Sequence, residues 1–199
     1  MSDCRNSNVV SYIKVGDQII DSVSEMKVLG FIFDDRPSVG AHINYCIKKF
    51  TRAIWALNHL KRAKMDNKTL LSVYQIMLRP LLEYCSPVYH PMLTQYMSED
   101  IEKQQKRALK VIYGFDKHYK DLLEMCGLLT LKERREAAFA SFTSKLVSST
   151  RFQHLFPLKE AGPMELRNTK NYAEEFARSN RLYNSPVYSM RRYLNGKED

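Results

Sequence analysis

A chain of 199 residues with 44% hydrophobic and 11% aromatic side chains is too apolar for a disordered polymer, and its length suits one domain with an extension or two small ones. Seven glycines and seven prolines are too few for a turn-dense β architecture. The formal charge of +9 favours an anionic partner, and it is uneven: residues 1–35 hold three basic and six acidic side chains, leaving +12 on the rest. Cys4, Cys46, Cys85 and Cys126 include no Cys-x-x-Cys pair, a spacing that fits neither a zinc ribbon nor a disulfide scaffold. His42 and Cys46, at i and i+4, share a helix face and read as ordinary packing, because no second pair of ligands accompanies them. The opening MSDCRNSN has no apolar signal core and no stretch is long enough to span a bilayer, so an intracellular protein without membrane contact is expected.

Along the chain, the first signal is β-like. Tyr12-Ile13-Lys14-Val15 and Ile19-Ile20 flank Gly16-Asp17, a two-residue hairpin turn. Val28-Leu29-Gly30-Phe31-Ile32-Phe33 reads as a single, largely buried strand, ended by the loop from Asp34 to Ser38. The apolar period then changes from two to about 3.6. A first helix is predicted over 39–64, with Ile43, Ile47, Phe50, Ile54 and Leu57 as its buried stripe. A second follows Asp66 or Asn67 as cap and places Leu70, Tyr74, Met77 and Leu81 on one face, with Pro80 kinking or ending it. Pro87 and Pro91 forbid regular helix from Tyr84 to Pro91. A third helix is expected over 98–113, stopped by Gly114, and a short one over 119–126, stopped by Gly127. Thr130 and Glu133 form a capping box opening a helix with Leu131, Ala138, Phe139, Phe142 and Leu146 as its apolar face. A loop is expected over 152–171, and Ser185-Pro186 opens a last helix over 187–194. The fold expected is mainly α with a small N-terminal β element. It divides into a β remnant (1–35), a helical bundle (36–115) and a helical extension (116–199).

Several stretches, in this order, resemble the reverse transcriptases of jockey-like and related non-LTR retrotransposons. Met26 to Phe31 looks like the Leu-Gly strand that follows the catalytic palm, and His42-Ile43 with Lys48-Lys49 looks like the start of the thumb. Leu78-Arg79-Pro80-Leu81-Leu82-Glu83-Tyr84-Cys85-Ser86-Pro87-Val88-Tyr89 resembles the family's "v-x-P-x-L-e-Y-g-x-x-v-W", with Tyr89 where tryptophan is usual. Ile101 to Ala108 resembles "l-E-k-i-Q-x-r-A", Gly127 to Arg135 resembles "L-g-l-x-x-L-x-x-R-R", and Arg181 with Asn184-Ser185-Pro186 matches the tail. The resemblance implies the thumb and post-thumb part of an RNA-directed DNA polymerase, with palm and fingers expected upstream of Met1. The two-metal carboxylates, and with them the Mg²⁺ cofactor, would belong to that palm, so no cofactor and no polymerase activity are expected of this chain alone. Ile32-Phe33-Asp34-Asp35 is not the catalytic hairpin: its first position is not Phe or Tyr, and it follows the Leu-Gly strand that the catalytic pair precedes.

The candidate site lies on the first helix. Between Arg36 and Met65 stand seven basic residues and no acid. Tyr45, Lys48, Arg52, Trp55, His59 and Arg62 recur at three-four spacing opposite the apolar stripe, with Lys49 beside them. Cations at this pitch can follow a phosphate backbone, while Tyr45 and Trp55 offer rings to sugars or a base. The thumb resemblance makes the partner an RNA/DNA template–primer duplex, gripped without base reading. The alternative is a solvated helix face with Trp55 half-buried, in a protein-interaction module or a remnant without function. Arg134-Arg135 and Arg191-Arg192 are weaker candidates, the first two expected to pair with Glu133 and Glu136. No phosphate loop, nucleophile elbow or small-molecule site is visible.

Overall fold

The computed structural model describes residues 12–35, 38–159, 172–174 and 176–196. Of the loop expected over 152–171, residues 160–171 lie outside them, as does Arg36 of the basic stretch, while the described part of that loop begins within a 3-10 turn. Strands β1 (Tyr12–Val15) and β2 (Gln18–Asp21) form the first antiparallel hairpin, turning at Gly16-Asp17 with Gly16 at φ +61°. A second hairpin follows, β3 (Glu25–Val28) with β4 (Phe31–Asp34). This corrects the single strand expected over 28–33. Leu29 and Gly30 both take positive φ (+49° and +88°), which folds the run back as a two-residue turn. Of the run, Phe31 is buried, whereas Leu29 is 90% exposed at the turn. The Tyr84 hydroxyl donates to the Leu29 carbonyl. Gly30 is required there twice over, by its φ and because a Cβ would come within 3.3 Å of the Tyr84 ring.

Phe31 couples the hairpin to the helices by stacking on His42 at 4.2 Å between ring centroids. His42 lies on α1 (Gly40–Arg62), whose buried side is His42, Ile43, Cys46, Phe50, Ile54 and Leu57, with Ile47 partly covered. Helix α2 (Asn67–Val73) starts at Asp66, whose carboxylate accepts from Thr69 N at 2.9 Å. It runs into a π-helical segment, Tyr74–Leu78, and then α3 (Arg79–Glu83). Here the expected face is corrected. Met77 is 65% exposed and Leu81 only partly covered, while Leu70, Tyr74, Leu78 and Leu82 are buried. The wider π turn shifts the inward positions to a spacing of four. It sits just before Pro80, which has no N–H to bond back and whose ring crowds the turn before it.

The stretch expected to lack helix contains a short one, α4 (Ser86–Tyr89), followed by a 3-10 turn at His90–Met92. Pro87 is accommodated in its first turn, where a missing N–H costs nothing, and Cys85 at φ +60° makes the reversal before it. Helix α5 (Gln95–Tyr113) begins one turn earlier than expected, at Thr94, whose hydroxyl accepts from Met97 N at 3.3 Å. After α6 (Tyr119–Cys126), stopped by Gly127, comes α7 (Leu131–Ser148) with both bonds of its Thr130/Glu133 capping box formed. Its inner face is also corrected: Leu131, Arg135, Phe139 and Thr143 are buried and Phe142 is 36% exposed. A 3-10 turn (Thr150–Leu155), α8 (Asn180–Tyr183), which the sequence did not suggest, and α9 (Pro186–Leu194) complete the described chain.

The main core gathers Phe31, the inner faces of α1, α2, the π segment and α3, together with Tyr89, Ile101, Ala108, Ile112 and Leu131. A polar chain crosses its edge. The buried Gln105 amide accepts from the Tyr74 hydroxyl at 2.6 Å and donates to the Tyr119 hydroxyl (2.9 Å) and the Leu129 carbonyl (3.0 Å). The Tyr119 hydroxyl in turn donates to Glu102, whose Oε1 also accepts from Leu131 N. A separate cluster of Phe139, Phe156 and Met190 ties α7 to the C-terminal elements. The protein is mainly α with a small N-terminal β element.

Candidate nucleic-acid interface

Because Ile43, Phe50, Ile54 and Leu57 are drawn into the core, the opposite side of α1 is left to solvent. Lys48, Lys49, Arg52, Trp55, His59 and Arg62 are all exposed there, and Tyr45 is partly covered. From Tyr45 to Arg62 the row extends about 25 Å along the helix axis. Among the described residues no carboxylate makes an ion pair with Lys48, Lys49, Arg52 or Arg62.

The row is built in two parts. At its N-terminal end Lys27, from β3, donates to the Tyr45 hydroxyl at 2.8 Å. The ammonium groups of Lys27 and Lys49 lie 4.7 and 4.9 Å from the Tyr45 ring centre. Hydrogen bonding from these two lysines lowers the phenol pKa. Lys27 was not among the residues the helical spacing selected, since it belongs to the hairpin; only the fold carries it to α1. At the C-terminal end Trp55 is 66% exposed and meets His59 edge-on, with ring centroids 3.8 Å apart.

Other basic residues are spent internally. Lys61, which is not part of the row, donates to the Ile112 carbonyl and to Asn67 Oδ1, both at 2.7 Å, and so closes the end of α5. Arg134 pairs with Glu83 of α3 through two bonds, the longer at 3.1 Å, and Arg135 turns inward to Ser98, so neither meets Glu133 or Glu136 as expected. Both partners lie tens of residues away in sequence, beyond the reach of a local pattern. Arg191 donates to the Leu155 carbonyl at 2.9 Å, and Arg192 stacks on Tyr183 at 3.5 Å.

The acidic pair closing β4 is built into the strand's end and the turn that follows: Asp34 Oδ2 accepts from Ser38 Oγ at 3.2 Å, and Asp35 N donates to the Ser24 carbonyl at 2.9 Å. His42 and Cys46 do share a buried helix face, Nε2 to Sγ at 3.5 Å, and burial lifts the thiol pKa to about 11. Among the described residues no group of three or more His, Cys, Asp or Glu is placed to hold a metal ion, and no helix is long and apolar enough to cross a membrane. Compared with models of protein families, with curated proteins and with solved structures, the chain finds no match in any of the three.

Proposed function

We propose that this chain is the thumb and post-thumb part of a non-LTR retrotransposon reverse transcriptase, and that the outer face of α1 grips the template–primer duplex without reading its sequence. The observation that carries the reading is the exposed row Tyr45, Lys48, Lys49, Arg52, Trp55, His59 and Arg62, unopposed by acids and joined by Lys27 from the hairpin. Such a row meets the backbone and shallow minor groove of an A-form-like RNA–DNA hybrid, where shape and charge are available and base edges are not required. Palm and fingers would come from the rest of the polymerase, within the cell, and would supply the metal-binding carboxylates.

The test is a titration of a short RNA–DNA hybrid at several salt concentrations. Binding at about 10⁻⁴–10⁻⁶ M near physiological salt, weakening as salt rises, is the expected result. Replacing Lys48, Arg52 and Arg62 together by Gln keeps side-chain length and helix propensity, and should remove about three units of the salt slope. Trp55→Ala should cost about 1–3 kcal/mol if a base lies on the indole. A second reading is favoured by the exposed apolar side chains of the first hairpin and the link after it, Val15 at 58%, Ile19 at 65% and Val23 at 63%. These suit a protein-interaction module. Unchanged hybrid affinity and salt slope in the triple variant would transfer the argument to that reading.

A further inference from the structure

A cavity of about 590 Å³ lies where the first turn of α5, the His90–Met92 turn and the start of α7 meet. His90, Thr94, Gln95, Ser98, Glu99 and Lys132 line it. Behind Ser98 sits Arg135, only 1% exposed, whose Nη2 donates to Ser98 Oγ at 2.7 Å. Its Nε and Nη1 are buried without a protein acceptor, and so is His90 Nδ1. A guanidinium keeps its charge even when burial presses on its pKa, and among the described residues no carboxylate makes an ion pair with Arg135: Glu102, Glu136 and Glu83 act on it only from a distance.

The surrounding groups are arranged as donors. Because Arg135 fills an acceptor position on Ser98 Oγ, that hydroxyl has its hydrogen to offer to the cavity. Thr94 Oγ1 accepts from Met97 N and is left in the same condition. The 19-residue α5 ends here at its positive pole, with first-turn N–H groups that no helical carbonyl reaches. Lys132 is exposed and held loosely, 3.8 Å from Glu136. The acid in the lining, Glu99, accepts from Gln95 Nε2 at 2.9 Å. Burial and the charges of Arg135 and Lys132 hold the His90 imidazole neutral, so it contributes no positive charge of its own and the cations of the site are Lys132 and Arg135.

We propose that this cavity binds a phosphate group, with Ser98, Thr94 and Lys132 as direct donors and Arg135 as the buried charge behind Ser98. The inference is independent of the α1 face. The phosphate can belong to a small phosphorylated compound or to a nucleic-acid backbone, and the same donors serve both.

The experiment uses the full chain and inorganic phosphate as probe, with chloride at matched ionic strength as control. Thermal melting and ³¹P line broadening are the readouts. The melting temperature should rise saturably with phosphate and not with chloride. Ser98→Ala and Lys132→Ala should each weaken phosphate binding about tenfold. Lys132 is exposed, so that variant tests the site even if Ser98→Ala disturbs packing around Arg135. Competition of phosphate with a short RNA–DNA hybrid would assign the site to a backbone phosphate; phosphate binding without competition would assign it to a small compound. No preference for phosphate over chloride, or phosphate affinity unchanged in both variants, overturns the proposal.

Discussion

Phe50 and Trp55 stand five residues apart on one helix and meet opposite environments, the first fully buried and the second 66% exposed. Phe50→Ala is expected to cost about 3–5 kcal/mol in urea melts, because the ring leaves a void in the main core that its neighbours cannot fully close. Unchanged melting would mean that α1 is turned the other way, and the exposed basic row would go with it. His90 supplies a pH dependence whose sign can be worked out. Burial first, then the charges of Arg135 and Lys132, bring its pKa from 6.5 to about 4. Between those values the unfolded chain holds the proton and the folded chain does not, so stability falls as pH drops through the window and levels off below it. The slope from this group is at most about 1.4 kcal/mol per pH unit, and His42, shifted the same way, adds to it. His90→Gln should flatten the curve between pH 6.5 and 4 in chloride buffer; a variant with the parent's slope would assign the effect to other groups. Cys85 shows how a single residue can be legible in pattern and obscure in cause. It stands where the resemblance has glycine, and its φ of +60° is the conformation glycine adopts freely.

At the scale of elements, caps were the most readable feature. Asp66, Thr130 with Glu133, and the stops at Gly114 and Gly127 all act where the sequence placed them, because each satisfies backbone groups within a few residues. What local pattern did not reveal is where the helical period itself changes. The π segment keeps Leu70, Tyr74, Leu78 and Leu82 inward at a spacing of four, whereas an unbroken α period selects Met77 and Leu81. The two registers predict different mutants. Leu78→Ala should cost about 2–5 kcal/mol and Met77→Ala should stay within about 0.5 kcal/mol. Equal costs would restore the regular helix. The Leu29-Gly30 turn escaped notice for a related reason, since a leucine at positive φ carries no turn signature and its neighbours read as a continuous apolar run.

For the whole molecule, many of the residues that carry the family resemblance are interior or at element ends, with Lys48 and Lys49 on the exposed face of α1 among the exceptions. His42, Leu82, Tyr89, Gln105, Ala108 and Arg135 are buried, so they describe how the chain holds together and say little about what its surface touches. The candidate row on α1 rests instead on charge and spacing, which were legible, plus Lys27, which only the tertiary fold delivers. If the catalytic carboxylates belong to an absent palm, the purified chain with Mg²⁺ and deoxynucleotides should extend no primer on an RNA template; extension above a mock-purified control would overturn the thumb assignment. The Gln105 amide has a consequence of a different kind. One side chain joins the π segment, α5, α6 and the link to α7, through a buried bond to Tyr74 and two part-buried bonds at the edge of the core. Pulling any of these elements away strands the partners of the others. Their backbone amides should therefore surrender hydrogen to deuterated water as a block, with one common opening free energy, while the β1–β2 hairpin exchanges on its own and far sooner.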